Sequence, residues 1–191
     1  MLIRSLLPSE REIYRAHLLR LSDEDRFTRF CGAHSDHAIN RHVTAIDFSR
    51  DHIKVAFDPQ LNIIAAAHLC VMDAVTAEFS LSVEPPFRYH GWGRLLFKSA
   101  ITWMTNVGIE RAYCSCLRSN GPMLHIAVSE GMALVHDDSQ VDAFLQLKKN
   151  GLVAVFAEII EEQTGWIDFA AKYLIAPNNI KYFCEKYRIA S

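Results

Sequence analysis

The chain has 191 residues, half of them hydrophobic, which is enough to bury a full core and fits one principal domain with an appendage rather than two domains. With 20 Lys and Arg against 22 Asp and Glu, the balance offers no electrostatic basis for binding nucleic acid or an anionic membrane, so any phosphate binding must be local. Met1 to Pro8 lacks the basic and long apolar regions of a secretory signal, no apolar run approaches the roughly 18 residues of a spanning helix, and the cysteines (Cys31, Cys70, Cys114, Cys116, Cys184) are odd in number and scattered; a soluble cytoplasmic protein with reduced packing thiols is expected.

Leu2 to Leu6 can form a first strand. Ser9-Glu10-Arg11-Glu12 and Ser22-Asp23-Glu24-Asp25 both have capping-box spacing, which predicts two short helices. A third helix carries Ile39, Val43 and Ile46 on one side. His52 to Phe57 and Ile63 to Met72 read as strands, and the turn Asp58-Pro59-Gln60-Leu61-Asn62 makes them a hairpin. Ala77 to Val83 alternates, with Phe79, Leu81 and Val83 on one face and Glu78, Ser80 and Ser82 on the other.

Pro85-Pro86 stops that strand, and from Gly93 a helix is predicted with Leu96, Ala100, Trp103, Met104 and Val107 as its apolar stripe. Gly108 ends it. Ile109 to Leu117 is the next strand, followed by a short helix from about Pro122 to Gly131 and a closing hairpin of Ala133 to Val135 with Val141 to Leu147. Strands joined both by hairpins and by helices give a mixed α+β sheet. Residues 149–191 read as helical, with breaks at Thr164-Gly165 and Pro177-Asn178-Asn179, and they have three open roles: covering the domain itself, a homodimer contact, or a docking element.

The run Arg88-Tyr89-His90-Gly91-Trp92-Gly93 lies between a strand and a helix N-terminus. Unpaired amides and the positive end of the helix dipole favour an anion there, and glycines let the backbone approach it closely. Arg88, His90 and Arg94 can add positive charge. Taken alone, the two glycines also suit a plain tight turn. The loop has no third Rossmann glycine and no P-loop Gly-Lys-Ser/Thr, which speaks against a nucleotide site of either kind.

The longer segment Leu81-Ser82-Val83-Glu84-Pro85-Pro86-Phe87-Arg88-Tyr89-His90-Gly91-Trp92-Gly93-Arg94-Leu95-Leu96 resembles the signature of GNAT acetyltransferases: Val-x-Pro, an aromatic, then Arg/Gln-x-x-Gly-x-Gly/Ala leading into a helix. Asn120 to Met123, continuing to Gly131-Met132, resembles that family's later Asn-x-x-Met helix, with Met132 in place of the usual Phe. His17 to Gly32 resembles the N-terminal segment of a bacterial branch that includes protein-lysine acetyltransferase domains. The resemblance spans residues 1–148. It implies a GNAT-like acyl-CoA N-acyltransferase fold of about seven strands flanked by helices, with 149–191 as a C-terminal extension. It also implies acetyl-CoA as cosubstrate, held by Val83, Arg88, Tyr89, His90, Gly91, Trp92, Gly93, Arg94 and Asn120, and an amine acceptor, either a protein lysine or a small amine.

A lysine amine, with pKa about 10.4, must lose a proton before it can attack a thioester. Glu78 is the candidate base, since it sits on the polar face of the strand leading to the loop and matches the general-base Glu of the resembling branch. Glu84 is the second candidate. The resemblance implies that the Val83 amide donates to the thioester carbonyl. Asn120 is either a pantetheine contact or a helix cap. Where many relatives carry a Tyr acid, this chain has Ala127, which leaves the acid unassigned and motivates an alternative reading as a noncatalytic acyl-CoA-sensing or assembly module. Cys31, His34, His37 and His42 lack paired zinc-ligand spacing, and no metal is assigned.

Overall fold

The computed structural model describes residues 2–148 and 152–175. Seven strands form one sheet in the order β1-β2-β3-β4-β5-β7-β6. They are β1 (Arg4–Ser5), β2 (Asp51–Phe57), β3 (Ile63–Val71), β4 (Thr76–Val83), β5 (Arg111–Leu117), β6 (Ala133–His136) and β7 (Gln140–Gln146). All neighbours are antiparallel except β4 and β5. The helices are α1 (Arg11–Arg20), α2 (Asp23–Phe30), α3 (Asp36–Ala45), α4 (Trp92–Asn106), α5 (Gly121–Ser129) and α6 (Leu152–Ile175).

Alternation along the strands gives the sheet two apolar faces. On one, Ile53, Val55 and Ala66 pack against Tyr14 and Leu18 of α1 and Ile39 and Val43 of α3. On the other, Ala67, Leu69, Phe79, Cys114 and Val141 pack against Leu96, Ala100 and Met104 of α4 and Met123 and Ala127 of α5. Cys114 and Cys116 belong to this second core, and burial pushes their thiols up to about 12 and about 11. They are packing residues, as their shared strand face implied.

Ser22 caps α2 by accepting from the Asp25 amide at 3.1 Å, as its spacing predicts. Ser9 does not cap α1. The Glu10 carboxylate instead accepts from the Leu7 amide at 2.9 Å and holds the Arg4 guanidinium through both oxygens, so residues 8–10 form a separate 3-10 turn before α1 starts at Arg11. The sequence signal at Thr164-Gly165 also resolves differently, because α6 runs through it unbroken. Gly165 is where the helix meets β1: a Cβ there would stand 2.4 Å from the Ile3 carbonyl oxygen. The second expected break, Pro177-Asn178-Asn179, lies outside the described residues.

Helix α6 lies on the domain itself, against β1 and α4. Glu162 pairs with the fully buried Lys54 and accepts from the Ser5 amide at 2.9 Å, Glu161 accepts from Ser99 at 2.8 Å, and Glu158 accepts from Asn106 at 2.6 Å. The Arg4 guanidinium sits 4.5, 4.0 and 4.2 Å from the ring centres of Phe57, Trp166 and Phe169. These contacts join the two ends of the described chain.

Candidate active site

The parallel pairing of β4 with β5 ends at Glu78 and Tyr113, although β4 continues to Val83 and β5 to Leu117. Beyond that pair β5 stays with β7 and β4 stays with β3, so the sheet forks. The Glu84 amide donates to the Ile64 carbonyl at 2.9 Å, which assigns residue 84 to the β3 side. Because directions alternate along a strand, the amides of Leu81 and Val83 turn the other way, into the fork. The Val83 carbonyl turns the same way and accepts from Arg88 Nε at 3.0 Å.

Residues 82 to 84 are held firmly in this attitude. The fully buried His17 places Nε2 2.8 Å from Ser82 Oγ and Nδ1 3.0 Å from the Ile63 carbonyl and 3.1 Å from Glu84. Arg20 grips the same Glu84 oxygen at 2.7 Å. Burial pushes the His17 pKa down, with Glu84 opposing it, while Glu84 is held below its ordinary value by its bonds to His17 and Arg20 against the cost of burial. Glu84, the second base candidate, is thereby committed to a structural ion pair. Sequence reasoning passed over His17 because its partners lie 46 to 67 positions away.

At the mouth of the fork, Tyr89 and Gly91 both take left-handed backbone angles, with φ of 61° and 85°. Such alternation turns successive amides toward one point, an anion-binding concavity. The first bond inside α4 runs from the Leu95 amide to the Gly91 carbonyl at 3.0 Å, so the amides of Gly91, Trp92, Gly93 and Arg94 have no carbonyl within the helix. Gly91 is required by its positive φ. Gly93 lets α5 close in, since a Cβ there would touch Ile126 at 3.0 Å. These features fit a diphosphate.

The cationic side chains are less free than the sequence suggests. Arg88 pairs with Asp25 at 2.5 Å as well as with Val83, and Arg94 pairs with Glu130 at 2.5 Å. Anion affinity at this loop therefore rests on main-chain amides and the α4 dipole. Tyr89 is 95% exposed and His90 is also exposed. Asn120 caps α5 by accepting from the Met123 amide at 3.1 Å. Ala127 is fully buried in the core, so no acid side chain stands at that position.

On the α2 and α3 side of the fork is a cavity of about 420 Å³ lined by Glu78 and Ser80 of β4, Ser115 of β5, Asp51 and His68 of the β2/β3 hairpin, and Arg29, Cys31 and His42. Among the described residues no hydrogen bond or ion pair holds the Glu78 carboxylate. Burial pushes the His42 pKa to about 4 and lowers that of His68, so both rings are uncharged at neutral pH. Among the described residues no group of three or more His, Cys, Asp and Glu is arranged to hold a metal ion.

Similarity to known proteins agrees with this geometry. The Acetyltransferase (GNAT) family matches over residues 12–128. Among solved structures, the GNAT domain of PAT from S. lividans superposes with a TM-score of 0.65 at 19% identity, covering 76% of this chain and 89% of that one. A GNAT-family acetyltransferase from Streptococcus pneumoniae gives 0.61 at 17% identity over 77% of this chain and 99% of that chain. Spermidine N-acetyltransferase from Vibrio cholerae, solved with CoA and spermine, gives 0.61 at 15% identity over 77% and 95%. No curated protein matches the sequence significantly. With the forked sheet, the amide-lined loop and a family match across more than half its length, the chain belongs to the GNAT acetyltransferase family.

Proposed function

We propose that the protein is an acetyl-CoA-dependent N-acetyltransferase acting on a primary amine. The observation that carries this reading is the fork between β4 and β5, which brings strand amides, a helix N-terminus and a carboxylate unpaired among the described residues to one opening. The amides from Gly91 to Arg94 receive the diphosphate, and the pantetheine arm of the cosubstrate lies along β4 in the fork. Asn120 at the head of α5 is available to this arm through its amide N–H groups while its oxygen caps the helix.

Spacing on β4 divides the work between two amides. Val83 is five residues from Glu78, about 17 Å along a strand, whereas Leu81 is three residues away, about 10 Å. A carboxylate and one bridging water span the shorter distance. We therefore assign the Leu81 amide to the thioester carbonyl and the Val83 amide to the arm behind it, a change from the assignment that the resemblance implies. Fixed donors of this kind stabilise the charge that develops on the carbonyl oxygen.

Glu78 removes one proton from the acceptor ammonium, directly or through water. The freed nitrogen lone pair forms the N–C bond, the C–S bond breaks with its electron pair moving to sulfur, and the nitrogen passes its second proton to water. The thiolate leaves with an ordinary thiol affinity for protons, pKa about 8.5, and takes its proton from water, because residue 127 offers no acid.

The test pairs calorimetric titration of acetyl-CoA with an assay of free CoA released on an amine panel. Replacing Glu78 with Gln should lower kcat by about 100-fold or more and leave acetyl-CoA affinity within about twofold. A wild-type protein that binds acetyl-CoA but turns over no amine would move the assignment to a noncatalytic acyl-CoA-sensing module. A protein that binds no acyl-CoA would remove both readings.

A further inference from the structure

The acceptor cavity carries charges of both signs. Glu78 contributes a carboxylate that no side chain among the described residues pairs. The other acid on its wall, Asp51, is already engaged by the Asp47 amide at 3.1 Å. Opposing these is Arg29, which makes no ion pair among the described residues. Its guanidinium carbon lies 4.9 Å from the centre of the Phe30 ring, its Nη2 donates to the Tyr14 hydroxyl at 3.4 Å, and its buried Nε has no hydrogen-bond partner among the described residues. A partly buried guanidinium with open donor positions is costly unless a ligand supplies the acceptor oxygens. Its planar fork suits a carboxylate or a phosphate.

Two histidines on the same cavity wall also carry unmet polar atoms, both turned away from the open space. Among the described residues, Nε2 of His42 and Nε2 of His68 are buried without a close hydrogen-bond partner, the His68 nitrogen standing 3.6 Å from Asp51. Both rings are neutral at pH 7, so they neither repel a cation nor substitute for Arg29 in binding an anion. A long polycation would leave Arg29 unpaired and repelled. An apolar amine would leave it desolvated.

We propose that the acceptor is a small amine that also carries an anionic oxygen group, a carboxylate or a phosphate, with Arg29 pairing the anion while Glu78 faces the amine. The assignment rests on the acyl-transfer reading and narrows its substrate class. It favours amino acids and aminoalkyl phosphates over polyamines and over lysines within a protein. The transfer step is unchanged, since the anionic group is bound and takes no part in bond making. Arg29 is a specificity-determining residue for the acceptor.

The experiment compares matched pairs on the wild-type protein with acetyl-CoA: each standard α-amino acid with its decarboxylated amine, and aminoalkyl phosphates with their parent amino alcohols. Spermidine and a lysine peptide complete the panel, and released CoA is the readout. At least one anionic amine should exceed its partner about tenfold to a hundredfold in kcat/KM, the range for a hydrogen bond to a charged group. Which series shows the preference tells carboxylate from phosphate.

Arg29→Gln should flatten that preference, and Arg29→Lys should restore part of it. A lost fold would not reproduce this pattern, because the ratio between paired substrates is read within one protein. Equal rates for every pair in the wild type, a best rate on spermidine or the lysine peptide, or no turnover of any amine by a protein that binds acetyl-CoA would overturn the proposal. Failure of acetyl-CoA itself to bind in calorimetry would fall on the acyl-transfer reading instead.

Discussion

Gly91 sits at φ 85°, where a Cβ costs an L-residue roughly 1 to 2 kcal/mol. Gly91→Ala should therefore weaken acetyl-CoA binding by about tenfold in calorimetry while circular dichroism remains that of the wild type; unchanged affinity would place the diphosphate elsewhere. Residues of this sort were legible in the sequence because their meaning is local: two glycines before a helix, and a carboxylate on the polar side of an alternating strand. Arg88 and Arg94 were legible only in part. Their type suggested free cations, but the partners that hold them, Asp25 and Glu130, lie 63 and 36 positions away. Of the cavity beside Glu78 only the polar wall of β4, Glu78 and Ser80, was legible, since the rest of its lining runs from Arg29 to Gln140 with no repeating interval to mark it.

Helix α6 shows where element reading succeeds and where it fails. Its helical character follows from its apolar pattern, yet Gly165 looked like a stop because a glycine in a helix interior is disfavoured by about 1 kcal/mol. The structure gives that glycine another purpose, a close approach to β1. A Cβ there would stand 2.4 Å from a backbone oxygen and 2.8 Å from the Arg4 Cβ, and neither is a flexible side-chain end. Gly165→Ala should thus lower unfolding stability by about 1 to 3 kcal/mol in urea, despite the higher helix propensity of Ala. A stabilised variant would mean that the helix can shift without cost. The strands, in contrast, were read nearly end to end, because hairpin turns and alternation specify them locally. Their forking was not, since pairing partners depend on the whole sheet.

Two buried histidines, His17 and His68, and two half-buried ones, His42 and His52, give the molecule as a whole a common response to acid. Burial pushes His17 and His68 below their ordinary pKa and brings His42 and His52 to about 4, with Lys54 adding to the effect at His52. The unfolded chain takes up protons at these positions as pH falls below about 6.5, while the folded protein resists doing so. Stability should be complete above about pH 6.5 and fall progressively toward pH 4. Scanning calorimetry at pH 7, 5.5 and 4.5 should show Tm dropping at each step; a flat Tm over that range would contradict the burial of these rings.

The contact between Ser5 and Glu162 has a further consequence, for synthesis. These partners are 157 positions apart, so the ribosome must add all the residues between them before β1 meets the carboxylate that receives its amide. Until then Lys54 has neither Glu158 nor Glu162 beside it. Nascent chains halted ahead of residue 158 should remain open to protease at β1 and β2, and emergence of α6 should confer resistance in one late step.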